Sequence, residues 1–360
     1  MGEKQLSVVI LAGGQSTRFW PVARKNFPKH FLTLDGQSSF VKATVQRAEK
    51  LTSKDKIYVV GGVNYTNLIQ GHVPSVKYIP EPLACNTAPA LGLAALHVLK
   101  DNPNSVMVAL PADHTVQDEN KFKKTILDAV TIASEFEVLV TIGILPTFPH
   151  TDYGYIRRGE RIGEECCECP AYTVSRFFEK PNLKRARVYF ASEEFFWNSG
   201  MFVWRPQVLL STIKEHLPEL YEGLLKIQPY LDTPDELKAL EELYKKIEPI
   251  SIDFGVMEHA KNCVVIDADS FGWDDVGGWD AWAEHFRQDE DGNTALGDVM
   301  FLESSDCIVN SNNKFAAIVG VDDLVVINTS DALLVCPRER LGDIKKVTSE
   351  LEKNGRKDLL

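Results

Sequence analysis

The sequence predicts an α/β protein: a Rossmann-like, mostly parallel sheet with helices on both faces, followed by a small C-terminal β module. Two observations predict this fold. In the first half, short apolar runs alternate with longer amphipathic or alanine-rich stretches, as in parallel strands joined by helical crossovers. Beyond Trp282, short apolar segments recur between turn residues without a long helix, which indicates a compact β module of β-helix type.

The first half contains five predicted strands and three predicted helices. The strands are apolar runs of high β-propensity at positions 6–11, 57–60, 77–79, 106–110 and 139–142. The helices are the stretches between them at positions 39–51, 87–99 and 120–137. Because crossovers between parallel strands are right-handed, we expect the loops that follow the strands to share one edge of the sheet.

The second half is predicted to interrupt this alternation. Strands at 172–177 and 200–204 frame a turn at Glu179-Lys180-Pro181 and indicate an antiparallel excursion within residues 151–204. The pattern then predicts helices at 206–216 and 236–247, a short helix at 253–261 that Asp253 caps, and a strand at 263–267.

The C-terminal module is predicted to consist of short strands and one closing helix. The strands lie at positions 299–302, 307–309, 315–319, 324–328 and 333–335. A helix at 345–355 and a tail at 356–360 follow them. We therefore predict two domains, a large one at 1–285 and a small β-helix-like module with a terminal helix at 286–360.

Composition and charge exclude several classes of function. The 360 residues are 44% hydrophobic and 25% charged, as in an ordinary globular protein, and the formal net charge is −12. Such acidity argues against a general nucleic-acid binder, and no apolar run approaches the roughly 20 residues of a membrane span. The apolar run at 6–12 is too short for a signal peptide, so we expect a cytoplasmic protein without nucleic-acid or membrane partners.

Seven cysteines, an odd number, argue against a disulfide framework. Cys166 and Cys169 have the C-x-x-C spacing of half a zinc site, but no second pair follows at a suitable distance along the chain. We therefore expect a solvated loop with reduced thiols.

The segment after the first predicted strand has the composition of a phosphate-binding loop. Gly13 and Gly14 carry no Cβ and let the backbone approach a ligand, while Arg18 and Lys29 add positive charge. The patterns G-x-x-x-x-G-K-[ST] and G-x-G-x-x-G are absent, which excludes a P-loop kinase and a dehydrogenase. The residues therefore predict another type of nucleotide site at the carboxyl end of a strand.

Further short motifs follow in order over almost the whole chain. Residues 13–21 read GGQSTRFWP. The others are Pro28-Lys29, Glu81-Pro82, Asn86-Thr87-Ala88-Pro89-Ala90, Leu110-Pro111-Ala112-Asp113-His114, Tyr153-Gly154-Tyr155-Ile156, Phe178-Glu179-Lys180-Pro181, Trp197-Asn198-Ser199-Gly200-Met201-Phe202, Ser251-Ile252-Asp253 and Trp273-Asp274-Asp275-Val276-Gly277. Together they resemble the sugar-nucleotide pyrophosphorylases, a nucleotidyltransferase family, and within it the mannose-1-phosphate guanylyltransferases.

The resemblance implies transfer of GMP from GTP to mannose 1-phosphate, giving GDP-mannose and pyrophosphate, by a catalytic domain that spans residues 1–285. It implies nucleotide-binding roles for Leu11, Ala12, Gly13, Gly14, Ser16, Thr17, Arg18, Lys29, Glu81, Asn86, Thr87, Pro111 and Asp113. Sugar-phosphate binding falls to Gly154, Glu179, Lys180 and Asn198. Asp113 and Asp275 are the implied Mg²⁺ ligands, and the implied catalytic residues are Arg18, Lys29, Asp113, Lys180 and Asp275.

Two positions depart from the family pattern. Ser16 stands where a glycine usually completes the loop, and Cys85 replaces an arginine that usually precedes Asn86. The first change is expected to tighten the loop, and the second removes a cation. Asp275, rather than the adjacent Asp274, follows the family's tryptophan-x-aspartate pattern. His114 is expected to orient a ligand rather than act as a base, because an attacking phosphate oxygen is already ionised at neutral pH.

Alternatives remain open at this point. Another sugar or nucleotide would give a related pyrophosphorylase, and a catalytically silent subunit that binds GDP-mannose would be a regulator. The joint presence of the five candidate catalytic residues disfavours the regulator. The resemblance implies GTP and mannose 1-phosphate as partners, and a homodimer is left open. The module beyond residue 290 contains no candidate catalytic group and is expected to serve packing or assembly.

Overall fold

The structure, a computed structural model, describes residues 5–14, 16–34, 38–163, 167–268 and 270–360. Cys166 of the C-x-x-C pair lies outside the described residues. The chain divides into two compact units. The first unit comprises Met1–Gly13 and Val41–Trp273, and the second comprises Gly14–Phe40 and Asp274–Leu360. The predicted domain division, a single cut after residue 285, is a different partition and stays a prediction.

The described part of the first unit contains a nine-stranded sheet. Its strands are β1 Leu6–Ala12, β2 Ile57–Gly62, β3 Lys77–Glu81, β4 Val106–Pro111, β5 Leu139–Ile144, β6 Tyr155–Ile162, β7 Ala171–Phe178, β8 Phe195–Trp204 and β9 Cys263–Asp267. They lie in the order β3-β2-β1-β4-β8-β5-β9-β7-β6. Strands β1 to β4 pair in parallel, as do β5 and β9, whereas β6, β7 and β8 make antiparallel pairs.

Eight α-helices accompany this sheet in the described part of the chain. They are α1 Phe40–Glu49, α2 Thr66–His72, α3 Thr87–Asp101, α4 Glu119–Glu135, α5 Leu183–Ser192, α6 Pro206–His216, α7 Pro218–Ile227 and α8 Glu236–Tyr244. Side chains cap three of them, α3, α4 and α5. Asn86 caps α3 by accepting from the Thr87 N–H, and Asp118 caps α4 by accepting from two N–H groups. Apolar side chains of β1 and β4, among them Val9 and Met107, share one buried core with α3, α6, α7 and α8.

One predicted element was wrong. Residues 253–261 do not form a helix capped by Asp253. The chain instead makes a five-residue π-helical turn, Asp253–Met257, after Ile252, and no side chain caps it. The Asp253 carboxylate accepts a hydrogen bond from the Asn198 side chain instead, so a partner distant in sequence outcompetes the local cap.

The C-terminal part of the second unit is a β-helix-like module, as predicted. Its elements are α9 Trp279–Ala283, β10 Thr294–Leu296, β11 Val299–Leu302, β12 Ile308–Asn310, β13 Ala316–Val319, β14 Leu324–Asn328, β15 Leu333–Pro337 and α10 Ile344–Lys353. Strands β10, β12 and β14 pair in parallel in one sheet, and β11 and β13 pair in parallel in another. Successive strands therefore alternate between two sheets, and β15 closes the first by pairing antiparallel to β14.

Aromatic residues from both sequence segments of the second unit share its core. Phe19 and Trp20 are buried with Trp279 and Trp282, and with Ile308 and Ile344 of the C-terminal module. Among the helices described in either unit, none is both long enough and apolar enough to cross a bilayer.

Candidate functional site

The loop after β1 requires left-handed backbone at two positions. Gly14 has φ +114°, and Ser16 has φ 37° and ψ 44°. Ser16 is the position where the family usually has glycine. Glycine would be favourable there, because a Cβ is crowded in the left-handed region. After Ser16 the chain makes a 3₁₀ turn at Thr17–Phe19 that carries Arg18.

Arg18 and Asp275 lie side by side in the second unit. A Cβ placed on Gly277 would lie 3.1 and 3.2 Å from the two Asp275 carboxylate oxygens and 3.3 Å from Arg18 Nη1. Gly277 therefore leaves room for a carboxylate and a guanidinium to share one place. Both side chains were candidates from the sequence, and the structure brings them together.

Asp274 has a different role from its neighbour. Its Oδ1 accepts from the Val276 N–H at 2.8 Å, and its Oδ2 lies 2.9 Å from His285 Nε2. Desolvation raises the pKa of the Asp274 carboxyl, but these hydrogen bonds outweigh it and leave the pKa below its ordinary value. The Asp274 carboxylate thus shapes the turn that presents Asp275.

Lys29 supports the same turn from inside the second unit. Its side chain is buried, and Nζ donates to the Asp275 carbonyl oxygen at 2.5 Å. The ammonium also lies 5.8 Å from the Phe19 ring centroid and 5.2 Å from that of Phe40. Lys29 therefore places a positive charge directly behind the Asp275 backbone.

Two residues that the sequence suggests for binding the nucleotide base, Glu81 and Thr87, are hydrogen-bonded to distant segments of the first unit. Glu81, at the end of β3, is buried, and its Oε1 accepts from the Tyr244 hydroxyl at 2.7 Å. Burial raises the pKa of the Glu81 carboxyl to about 7, and the hydrogen bond from Tyr244 opposes part of that rise. Sequence reasoning missed Tyr244, because its contact with Glu81 spans 163 residues and leaves no local signal.

The next candidates are joined to a second distant segment. Thr87 Oγ1 accepts from the Ile252 N–H at 2.8 Å, and the side chain of the exposed Asn86 accepts from the Thr87 N–H. Cys85, where the family usually has arginine, is buried, and its carbonyl accepts from the Ile250 N–H at 3.2 Å. The thiol therefore fills an interior position rather than presenting a group to solvent.

Residues after β4 form a third group within the first unit. A Cβ on Gly200, which has φ +69°, would lie 3.5 Å from Pro111 Cγ and 4.0 Å from His114 Cε1. The Trp273 indole N–H donates to His114 Nδ1 at 3.1 Å, and His114 Nε2 lies 4.0 Å from Asp113 Oδ1. Because Nδ1 accepts, the neutral ring carries its hydrogen on Nε2, on the side of Asp113.

The four candidate sugar-phosphate residues are brought together. Asn198 N–H donates to the Gly154 carbonyl at 2.8 Å, and Lys180 Nζ donates to Glu179 Oε1 at 2.7 Å. A Cβ on Gly154 would lie 2.5 Å from Glu179 Oε2 and 3.3 Å from Asn198 Cβ. A side chain at position 154 would therefore force the Glu179 carboxylate to move from this place. The Lys180 side chain is 61% exposed and that of Glu179 is 11% exposed. The Lys180 ammonium therefore faces solvent, whereas the carboxylate with which it pairs is largely buried.

Asp253 belongs to this cluster and was missed as a site residue. Its Oδ1 accepts from Asn198 Nδ2 at 2.7 Å, while Asn198 Oδ1 accepts from Thr141 Oγ1 and the Gly200 N–H, each at 3.2 Å. Asn198 is thereby fixed in one orientation. Desolvation, and then the negative charge of Glu179, raise the pKa of the Asp253 carboxyl to about 6. The sequence shows Asp253 within the motif Ser251-Ile252-Asp253, but its local pattern predicts that the carboxylate caps a helix.

Another group of potential metal ligands in the described chain lies outside the predicted site residues. His97, Asp232 and Glu236 present ligand atoms within 4.8 Å of one another. His97 Nε2 lies 2.7 Å from Glu236 Oε1, and Lys100 Nζ donates to Asp232 Oδ2 at 2.7 Å. The group therefore links α3 to the start of α8 through protein hydrogen bonds, with a cation of the chain itself at Asp232.

Comparison with known families covers most of the chain. The model described as "Nucleotidyl transferase" matches residues 7–292. A second, described as "MannoseP isomerase/GMP-like beta-helix domain", matches residues 297–351. The two matches fall on the α/β part and on the C-terminal β module, and they agree with the fold described above.

Several relatives are similar over nearly the whole chain. A mannose-1-phosphate guanylyltransferase of Escherichia coli K12 is 36% identical over 99% of this chain and 75% of its own length. One from Klebsiella pneumoniae is 37% identical over 97% of this chain and 74% of its own length. A crystal structure described as a mannose-1-phosphate geranyltransferase from Thermus thermophilus is 31% identical, with a TM-score of 0.86 and coverage of 97% of this chain and 99% of that chain.

Proposed function

Because the chain belongs to the nucleotidyl transferase family, we propose that it transfers GMP from GTP to mannose 1-phosphate, forming GDP-mannose and releasing pyrophosphate. The single observation that supports the sugar side best is the cluster of Glu179, Lys180 and Asn198 around Gly154. It combines an acceptor, a cation and an oriented amide in one place. The names of the relatives support the choice of GTP and mannose 1-phosphate.

The proposed reaction is a single in-line displacement. A phosphate oxygen of mannose 1-phosphate forms a bond to the α-phosphorus of GTP, and the bond from that phosphorus to the bridging oxygen breaks. Pyrophosphate leaves with the electron pair. Because the attacking oxygen is already ionised at neutral pH, the enzyme needs no general base, and most of the rate gain comes from positioning and electrostatics.

The sugar-side residues bind and orient the nucleophile in this proposal. Lys180, as a point charge in solvent, pairs with the phosphate of the sugar, and Glu179 accepts hydrogen bonds from sugar hydroxyls. Asn198 donates one amide hydrogen to Asp253 and keeps the second for the ligand. Asp253 is a positioning residue, because it acts through Asn198.

The nucleotide-side residues hold the triphosphate. Arg18 supplies a planar set of donors for phosphate oxygens, and Lys29 adds positive charge behind the Asp275 turn. The backbone of Leu11, Ala12, Gly13 and Gly14, with Ser16 and Thr17, approaches the phosphates closely. Glu81, Asn86 and Thr87 are proposed to accept hydrogen bonds from guanine, and Pro111 is proposed as a further nucleotide-binding residue.

A divalent cation, Mg²⁺, is part of the proposal. Asp113 and Asp275 would hold it, since carboxylate oxygens are the protein donors that Mg²⁺ prefers and Asp274 is already committed to His285 and the Val276 N–H. When bound, the ion neutralises phosphate charge. We also propose a cytoplasmic location without nucleic-acid or membrane partners.

The test is a grid of four nucleoside triphosphates against several sugar 1-phosphates with Mg²⁺, read as pyrophosphate release. GTP with mannose 1-phosphate should give the highest kcat/KM. Equal use of UTP would overturn the guanylyl assignment and leave only the pyrophosphorylase class. Binding of GDP-mannose without turnover of any pair would identify the silent regulator instead. Arg18→Ala serves as the control that the released pyrophosphate comes from this site.

A further inference from the structure

Arg24, which follows the nucleotide loop, donates hydrogen bonds from all three guanidinium nitrogens to other residues of the second unit. Arg24 Nε donates to the Pro21 carbonyl at 2.6 Å, Nη2 donates to Asp331 Oδ1 at 2.9 Å, and Nη1 donates to the Leu359 carbonyl. Its side chain is only 14% exposed. One guanidinium thus joins the segment after the loop to the β14–β15 turn and to the C-terminal segment.

Trp20 makes a second link to the same carbonyl. Its indole N–H donates to the Leu359 oxygen at 2.8 Å, and the Arg24 guanidinium carbon lies 5.7 Å from the Trp20 ring centroid. The Trp20 ring is buried in the core that includes Ile344 of α10. The carbonyl of Leu359 therefore receives two donors, both from the segment that follows Arg18.

The Arg18 turn is short, so its geometry follows these anchors. Phe19 N–H donates to the Ser16 carbonyl, and Trp20 N–H donates to the Thr17 carbonyl. Phe19 packs against Trp279 with ring centroids 5.2 Å apart. A shift of Trp20 would carry the turn with it and move the guanidinium away from its place beside Asp275.

We propose that the C-terminal module positions the nucleotide loop, with Arg24 and Trp20 as the positioning residues that transmit its contacts to Arg18. The inference rests on the proposed function, because it takes Arg18 as a ligand of the GTP triphosphate. It goes beyond the expectation that the module serves packing or assembly alone. A displacement of about 1 Å at a positioning group is enough to weaken a phosphate contact strongly.

The neighbouring residue provides a matched control. Lys25 also pairs with the C-terminal part of the unit, through Nζ to Glu352 Oε1 at 2.7 Å. That pair is 44% and 62% exposed, whereas Arg24 is sheltered. An exposed ion pair contributes little, so Lys25→Gln removes a charge at the same place without removing the anchor.

The experiment compares Arg24→Gln, Trp20→Phe and Lys25→Gln with the wild type. GTP binding is measured by calorimetry without sugar phosphate, and the KM for mannose 1-phosphate is measured at saturating GTP. We expect the GTP Kd to rise about tenfold in Arg24→Gln and about threefold in Trp20→Phe, with Lys25→Gln unchanged. The KM for mannose 1-phosphate should stay within about twofold of the wild type in all three.

The other possible outcomes contradict either this inference or the proposed function, and they can be told apart. Wild-type GTP binding in Arg24→Gln overturns the inference and leaves the proposed function intact. Equal loss of both substrates also overturns it, because that is the result of general destabilisation. A wild type that binds no GTP overturns the proposed function itself. If Arg24→Gln does not fold, Asp331→Ala replaces it, because Asp331 is half exposed and lies outside the nucleotide loop. Unchanged GTP binding by Asp331→Ala would then overturn the inference.

Discussion

The sugar-side cluster and the Asp275 turn present similar charges but are held in different ways. In the first, polar side chains hold one another: Asp253 fixes Asn198, and Glu179 pairs with Lys180. In the second, Arg18 and Asp275 sit on turns that buried aromatic rings and Lys29 support. Damage to one polar side chain should therefore spread within the first cluster, whereas the second should respond both to loss of aromatic packing and to loss of a buried anchor such as Lys29.

The strongest effect should be at the proposed metal ligands. Asp275→Asn and Asp113→Asn should each lower kcat by about 100-fold or more, because each removes a charge placed where the transition state needs one. The measurement is turnover as a function of Mg²⁺ concentration. Asp274→Asn is the matched comparison: its side-chain oxygen can still accept from the Val276 N–H and hold the turn, so it should lower the Tm through the weakened His285 contact and change the Mg²⁺ dependence far less than Asp275→Asn does. A near-wild-type rate of Asp275→Asn at limiting Mg²⁺ would show that it is not a ligand.

The next effect separates the two substrates. Lys180→Ala should raise the KM for mannose 1-phosphate about 30-fold and largely preserve GTP binding, while Arg18→Ala should do the reverse. Calorimetry of GTP on both variants measures the difference. Lys184→Ala, an exposed cation on α5, is the control for a change of net charge. If Lys180→Ala loses GTP binding as severely as Arg18→Ala, the division into sugar and nucleotide residues is wrong.

A reciprocal exchange tests the polar network of the sugar-side cluster. Asn198→Asp places a second carboxylate 2.7 Å from Asp253 and should raise the KM for mannose 1-phosphate about tenfold while lowering the Tm. The double variant Asn198→Asp/Asp253→Asn restores a hydrogen bond in the opposite direction. It should recover the Tm but not the KM, because the amide hydrogen meant for the ligand is gone. Recovery of both would show that Asn198 acts only in packing.

A smaller effect is the pH dependence of stability. The folded pKa of Asp253 is about 6, above its ordinary value of 3.8, so between about pH 4 and 6 the folded state binds more protons than the unfolded state. The free energy of unfolding therefore falls as pH rises through this window. Asp253→Asn should remove that fall, on the order of 1 kcal/mol after allowance for partial exposure. Denaturant titrations at pH 4 and 7 measure it, and parallel curves for both proteins would contradict it.

The weakest effect concerns the backbone of the loop. Ser16→Gly should stabilise the protein by about 0.5 kcal/mol, since relief of left-handed strain exceeds the extra entropy of glycine in the unfolded chain. Gly14→Ala is the opposite test, because φ +114° is strained for alanine even though the space beside it is open. Differential scanning calorimetry of both variants should show Tm changes of opposite sign. A lower Tm for Ser16→Gly would show that the hydroxyl contributes more than the strain costs.

Local patterns along the chain were sufficient to predict the α/β order, the C-terminal β module and the family, because periodic apolar runs and short motifs need no knowledge of distant contacts. They also identified Gly154, Glu179, Lys180 and Asn198, which the structure brings into one cluster. They could not predict how these residues are held. Asp253 contacts Asn198 across 55 residues, and Tyr244 contacts Glu81 across 163.

Which polar groups form hydrogen bonds within the protein, and which lie at the candidate site, is visible only in three dimensions. Asp274 and Asp275 are adjacent and chemically identical in the sequence, yet one bonds to His285 and the other lies beside Arg18. The Arg24 contact with Leu359 spans 335 residues and likewise has no local signal. The physical reason is that a hydrogen bond depends on distance and direction in space, and a pattern along the chain specifies neither for residues so far apart.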